Sequence, residues 1–314
     1  MDILFIMDPL EKLDPEWDNS MFVGAELLRR GHKLWAADSP DLFTRKNVLF
    51  CHALRLAPGP DKKKFFGVRG RGKTLRKAGS FDLILVRKNP PFDGTYLALT
   101  HLLDFAAGKT AVVNRPMGIR NANEKLAILN FPQWIPETMV SASAAEILRF
   151  QKKIKGEVVV KPLSEKGGEG VFLLAQKGGL QRLKRAAQGG KKFLMAQRRV
   201  RGTEKRILVL NGKFLCAYEK RPAKKEFRAN LDLGGTFHPT RLTAREKKML
   251  HALRPYLLRE GLYFAGIDVL GEKLIEINVT SSAGISETKF LHPELRPEAS
   301  WAGFLENFAR NFRR

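Results

Sequence analysis

Residues 1 to about 115 alternate short apolar strands with helices, and that alternation leaves few folds open. Ile3 to Met7 reads as a buried strand. A helix from Phe22 to Arg30 follows, with Asp18, Asn19 and Ser20 as candidate N-caps and Gly31 as its stop. Strands at Lys33 to Ala37, Phe81 to Arg87 and Ala111 to Asn114 continue the series, and a helix opens at Thr95 and Tyr96 and runs to about Ala107. Strands joined through helices pair in parallel, so a Rossmann-like sheet is expected. Functional residues of such a sheet lie at the carboxyl ends of its strands, where Asp8, Arg87 and Asn114 fall.

The remainder divides into two further units. Arg120 to Leu126 reads as the start of a helix. Between Glu137 and Gln197 come a helix (Ser141 to Lys153), strands at Glu157 to Pro162 and Val171 to Ala175, and a helix from Leu180 to Ala187. From Gly202 onward there are strands at Arg206 to Leu210 and Phe214 to Lys220, a helix from Ala244 to Glu260, a hairpin and a terminal helix. No internal repeat or low-complexity stretch interrupts this order.

That hairpin, Asp268 to Asn278, places three oxygen-bearing side chains among aliphatic ones. Alternation puts Glu276 and Asn278 on one face, with Ile275 and Ile277 on the other. If both strands share one core, Asp268 joins Glu276 and Asn278, provided the turn is odd-numbered, for example Gly271-Glu272-Lys273. Two carboxylates and an amide carbonyl suit Mg²⁺, which completes its shell with phosphates and water. The competing reading is a hairpin with a solvated polar face.

Composition narrows the classes. The 314 residues carry a net charge of +24, which predicts attraction to polyanions or acidic small molecules. The basic residues are spread along the chain without a tail or a nucleic-acid recognition motif, so nucleic acid is not an expected partner. No apolar run approaches the ~18 residues that span a membrane, and the N-terminus does not read as a signal peptide. Cys51 and Cys216 give neither a disulfide framework nor a metal cluster, and a reducing cytoplasm is the default.

Two glycine loops compete for phosphate. Gly67 to Thr74 satisfies the P-loop pattern letter for letter. Its context fails, because Lys62 to Phe66 is a poor buried strand and only Leu75 to Ala78 is left for the following helix; it reads as a basic loop. The second loop, Ser164 to Gly170, lies between strand signals and holds Lys166, Gly167, Gly168, Glu169 and Gly170. Its glycines let backbone N–H groups approach phosphate closely, although an ordinary hairpin loop has the same composition.

Motifs along almost the whole chain then combine. They include Arg87-Lys-Asn-Pro-Pro-Phe-Asp93, Asn123-Glu124-Lys125, Val160-Lys161-Pro162-Leu163, Met195-Ala-Gln197, Lys205-Arg206, Arg228-Ala-Asn230, Gly266-Ile-Asp268 and Glu276-Ile-Asn278-Val-Thr280-Ser281. In this combination the chain resembles the ATP-grasp carboxylate–amine ligases, and specifically the bacterial glutathione synthetase family. The resemblance implies an α/β ATP-grasp fold: a Rossmann-like domain over 1–118, a lid with its connecting helix over 119–200 and a core with the metal site over 201–314. It implies ATP as co-substrate, Mg²⁺ or Mn²⁺ as cofactor, and ligation of γ-glutamylcysteine to glycine through an acyl phosphate. Lys125 and Lys161 match nucleotide-binding lysines, and Lys166 to Gly170 match the loop that closes over phosphate. Gln197, Arg198, Arg199 and Val200 match the segment whose backbone meets adenine. Asp268, Glu276 and Asn278 match the metal ligands. Arg206 and Arg228 match arginines facing the transferred phosphate and acyl group, with Asn230 assisting. For the anionic dipeptide, Asp18, Asn19, Ser20 and Arg87 are the candidates, with Ser281 and Ser282 on the opposite wall. A homotetramer is also implied.

The chain departs from that family where Ser286 stands for a substrate-facing arginine and Thr236 for another common arginine; Lys225 or Lys289 is a candidate replacement cation. Two rivals to the expected reaction stand beside it. One is a related ligase joining a different carboxylate and amine. The other is a basic nucleic-acid-binding protein with a P-loop at 67–74.

Overall fold

The computed structural model describes residues 1–61, 64–70, 72–165, 167–224, 226–230 and 233–312. Three sheets organise them. The first unit comprises β1 (Asp2–Met7), α1 (Asn19–Arg29), β2 (Lys33–Ala37), β3 (Leu42–Arg45), β4 (Val48–Asp61), β5 (Lys64–Val68), β6 (Thr74–Lys77), β7 (Leu83–Arg87), α2 (Gly94–Ala107), β8 (Ala111–Val113) and α3 (Pro116–Asn121). β2, β1, β7 and β8 pair in parallel, as the alternation predicts. β1 is apolar on both faces because helices cover both, and Ile3 to Ile6 are fully buried.

The edge of this sheet differs from expectation. β4 pairs antiparallel with β2, β3, β5 and β6 and forms a ribbon. Gly67 and Val68 lie in β5, and Thr74 opens a strand rather than a helix. A P-loop needs a helix N-terminus directly behind its glycines, so this segment is not one.

The second sheet orders β11-β10-β12-β9 and is antiparallel. Its strands are β9 (Thr138–Ser141), β10 (Val158–Pro162), β11 (Phe172–Leu173) and β12 (Leu194–Arg198), backed by α4 (Ala144–Lys153) and α5 (Gly179–Ala187). β9 occupies part of the stretch expected to begin a helix; Ser143 caps that helix instead, its hydroxyl accepting the Glu146 N–H.

The third sheet orders β15-β14-β13-β16-β17. It contains β13 (Glu204–Leu210), β14 (Lys213–Arg221), β15 (Thr236–Pro239), β16 (Phe264–Leu270) and β17 (Lys273–Asn278). Around it lie α6 (Ala244–Glu260), α7 (Ile285–Leu291) and α8 (Pro297–Phe312). Thr243 and Glu246 form a capping box at the start of α6, and left-handed Gly261 ends it.

The units interleave. The helix expected from Arg120 is not there: α3 ends at Asn121, and Leu126–Asn130 forms one 3₁₀ stretch. Ala127, Ile128 and Phe131 pack into the core under the third sheet, so only 138–198 of the expected lid span builds the second sheet. Gly118 has no room for a side chain, since a Cβ there would sit 2.0 Å from the Glu260 carbonyl oxygen. α8 returns to the first unit. Its Trp301, Ala302, Leu305 and Ala309 share a core with Ile3, Phe5, Val23 and Leu83. Burying one such leucine contributes about 1.5–3 kcal/mol. Asn114 bolts the first sheet to the third, donating to the carbonyls of Phe264 and Val279 and accepting the Phe264 N–H. It is therefore structural rather than exposed at the strand end.

Candidate active site

The hairpin β16–β17 brings Asp268 and Glu276 into register as expected, but by another route. Its turn has two residues, Gly271 and Glu272, both at positive φ, as a primed hairpin turn requires. A register shift between Asp268 and Val269 supplies the missing offset, leaving Ile275 outside the pairing. Leu274 and Ile277 are therefore buried, while Ile275 lines the cavity rather than the core.

Register across the third sheet builds one row on this face. Tyr218 pairs with Arg206, Arg206 with Asp268, and Asp268 with Glu276. Adjacent strands lie about 4.8 Å apart, so the row runs roughly 14 Å. Arg206 holds Asp268 in a two-point grip at 2.8 and 2.9 Å. Lys220, on β14, donates to Asp268 at 3.2 Å and pairs with Glu204 at 2.5 Å. Burial alone would raise the Asp268 pKa, yet Arg206 and Lys220 together hold the carboxyl well below its ordinary 3.8. Asn278 donates its amide N–H to the Gly266 carbonyl and to Asp268. Glu276 pairs with Lys125 at 3.1 Å, and Lys125 also reaches the Glu165 carbonyl at 2.6 Å.

Facing this row is the second sheet. Lys161 donates to Gln197 at 2.7 Å, and Gln197 donates to Thr138. Burial pulls the Lys161 ammonium down to about 8, against the opposing pull of Glu276. The loop after β10 folds toward the third sheet. Arg228 donates to the Gly168 carbonyl at 2.9 Å while Glu226 clamps its other nitrogens. Gly168 is at positive φ, and a Cβ on it would meet the Asn230 amide oxygen at 2.5 Å. Lys166 lies outside the described residues, as does Lys225.

Together these walls enclose a cavity of about 600 Å³. Lys125, Lys161, Gly167, Gly168, Glu169, Gln197, Arg198, Arg199, Val200, Arg206, Arg228, Asn230, Asp268, Glu276, Asn278, Ser281 and Ser282 all line it. Gly170 stands just outside, its positive φ turning the loop against Pro162. The side chains of Arg198 and Arg199 turn to Glu137 and Glu157. Their amide N–H groups are also taken, by the carbonyls of Glu137 and Glu157. Among the described residues, the Val200 amide is the one in this segment without a hydrogen bond.

The dipeptide candidates of the first unit sit elsewhere. Asp18 caps α1 through the Ser20 N–H. Asn19 donates to the Ser282 carbonyl and accepts from Ile285, while Arg87 donates to Ser20 and to the Ser282 carbonyl. Arg87 is 4% exposed and stacks over Trp301. Asn19 and Arg87 brace the 281–286 segment, Asp18 and Ser20 bond within the first unit, and none of the four lines the cavity. Lys289 pairs with Glu298 rather than facing the cavity.

Sequence reasoning missed Tyr218, Lys220, Glu124, Glu204 and Glu287, all on the cavity wall. Glu124 accepts the N–H groups of Val279 and Thr280 and the Thr280 hydroxyl. For Tyr218 and Lys220 a signal existed, since residues two apart on a strand share a face with Arg206 opposite.

A family model of the prokaryotic glutathione synthetase N-terminal domain matches residues 1–120, and one of the corresponding ATP-grasp domain matches 124–292. The chain belongs to the prokaryotic glutathione synthetase family. Glutathione synthetase of Gloeobacter violaceus is 40% identical over 302 residues, covering 93% of this chain and 92% of that protein. The Brucella melitensis glutathione synthetase is 33% identical, with 90% and 91% covered. Solved structures share the fold at lower identity. D-cycloserine synthetase DcsG superposes with a TM-score of 0.66 at 15% identity, over 98% of this chain and 99% of that one. The VanG D-Ala:D-Ser ligase of Enterococcus faecalis gives 0.61 at 12%, over 97% and 98%. The protein is thus an ATP-dependent carboxylate–amine ligase of ATP-grasp fold.

Proposed function

We propose that this ligase joins γ-glutamylcysteine to glycine at the expense of ATP, with the cavity between the second and third sheets as its site. What carries the reading is the cross-strand row Tyr218–Arg206–Asp268–Glu276, which sets two carboxylates beside an arginine and faces a glycine loop latched by Arg228. The substrate pair is taken from the relatives, whose coverage is nearly end to end.

The chemistry assigns each wall a task. A carboxylate does not react with an amine at neutral pH. The donor carboxylate oxygen attacks the γ-phosphorus of ATP, ADP leaves, and an acyl phosphate forms. The amine of glycine then adds to the acyl carbon, and the tetrahedral oxyanion collapses with loss of phosphate and the amine proton. Lys125 and Lys161 bind nucleotide phosphate oxygens as point charges. Arg206, aligned by Asp268, presents a fixed fork to the transferred phosphoryl group, and Arg228 with Asn230 holds the acyl side. The 164–170 loop excludes water that would otherwise hydrolyse the acyl phosphate. The Val200 amide is the free donor for the adenine edge.

Asp268, Glu276 and Asn278 fit Mg²⁺ or Mn²⁺: all are oxygen ligands on one face, and Asn278 has its nitrogen engaged, leaving its oxygen for a cation. Those three residues would hold the ion, which would supply positive charge against the phosphates. Free, buried thiols at Cys51 and Cys216 fit a reducing compartment such as the cytoplasm. No described helix is long and apolar enough to cross a membrane. Phosphate release is the test. With ATP and Mg²⁺, γ-glutamylcysteine plus glycine should release phosphate well above ATP alone; equal release refutes the substrate assignment.

A further inference from the structure

Five carboxylates are buried among the described residues: Glu26, Glu246, Asp268, Glu287 and Glu298. Four of them have a cation in contact, from Arg29, Lys205, Arg206 and Lys289 respectively. Glu287, 4% exposed, has none among the described residues. Its oxygens accept only hydroxyls, from Tyr218 at 3.1 Å and Ser286 at 2.6 Å. It also lines the active-site cavity. A buried charge balanced by hydroxyls alone is costly, and a cation entering from the cavity would offset that cost.

Position narrows the cation. Tyr218 stands in the cross-strand row two strands, or roughly 10 Å along the sheet, from Asp268, and Glu287 meets its hydroxyl. The outer side is shut: Phe237 packs edge-on against Tyr218, and Trp17 and Phe290 pack against Phe237. A ligand therefore reaches Glu287 through the cavity. The acceptor amine is an unsuitable partner, because it must shed its proton to attack and an ion pair would keep it charged. The donor is suitable. An extended dipeptide spans roughly 7 Å, and a γ linkage lengthens it, so its remote end reaches Tyr218 when its carboxylate lies beside Asp268 and Arg206.

We propose that Glu287, held by Tyr218 and Ser286, is the counter-ion for the non-reacting α-ammonium of the donor, and so selects donors that carry one. The proposal rests on the reaction given above. It is tested with γ-glutamylcysteine and its des-amino analogue, glutarylcysteine, at saturating ATP and glycine. Wild-type enzyme should show a KM at least about tenfold higher for the analogue, with kcat little changed, as the loss of a charge-assisted hydrogen bond predicts. E287Q should lose most of that discrimination while its KM for ATP holds, and E287D should keep it. A merely structural role for Glu287 would weaken both donors alike and leave their ratio intact, which overturns the proposal. Equal KM values in the wild type overturn it without any variant, so the proposal stays open to refutation even if E287Q fails to fold. Absence of phosphate release with γ-glutamylcysteine itself refutes the substrate reading instead, and this proposal with it.

Discussion

Replacing Asp268 by Asn keeps the shape of the side chain and removes its charge. Asp268 is 5% exposed and faces buried Lys220 and half-buried Arg206. Lys220 retains Glu204 at 2.5 Å, so it keeps a counter-ion. Arg206 loses its carboxylate partner and keeps the Ala283 carbonyl at 3.3 Å and one amide oxygen. Breaking a buried pair from one side costs about 3–5 kcal/mol; the surviving contacts place D268N near about 3 kcal/mol. The pH dependence follows from the sign of the shift. The folded carboxyl titrates below its ordinary 3.8, so in acid the unfolded chain binds more protons. This stabilisation is complete above about pH 5 and is lost progressively as pH falls below the unfolded value toward the lower folded one. Urea unfolding of both proteins between pH 3 and 7 tests the argument. D268N should be weaker at pH 7 and lose less on acidification. A difference under about 0.5 kcal/mol at pH 7, or a gap that does not narrow by pH 3, refutes the claim that Asp268 works as a paired anion.

Glu276→Gln should lower turnover at least ~100-fold in phosphate-release assays, the loss expected for one charge-stabilising group; near-normal turnover removes Glu276 from the site. Lys161 is charged below its pKa of about 8, so KM for ATP should rise as pH passes that value; a flat profile from pH 7 to 9 contradicts its role at phosphate. Lys73→Ala should leave turnover almost unchanged, because Lys73 pairs with Asp41 on the ribbon; abolished turnover would restore the P-loop.

Much of this fold is legible from local pattern. β2 and α6 fall at their expected bounds because one is a clean apolar run and the other lies between a capping box and Gly261. The antiparallel ribbon was not legible, since basic residues interrupt its alternation and its pairing is long-range. The acidic cluster was anticipated, but its geometry was not. A bulge and a longer turn shift register equally, and only packing of Leu274 and Ile277 decides between them. Arg87 shows what a local pattern leaves out. A polar residue at a strand end reads as functional, and nothing local reveals that Trp301 and the Ser282 carbonyl will cover it.

One flank of the first sheet is completed by α8, made long after its strands. At the ~5–20 residues per second of synthesis, Ile3, Phe5 and Leu83 wait on the order of ten seconds or more for Trp301 and Leu305 to emerge. Throughout that interval the nascent chain carries an unfinished oily surface outside the ribosome. Loss of α8 would make that transient permanent, so deleting residues 297–312, far from the cavity, should yield sticky, chaperone-bound protein.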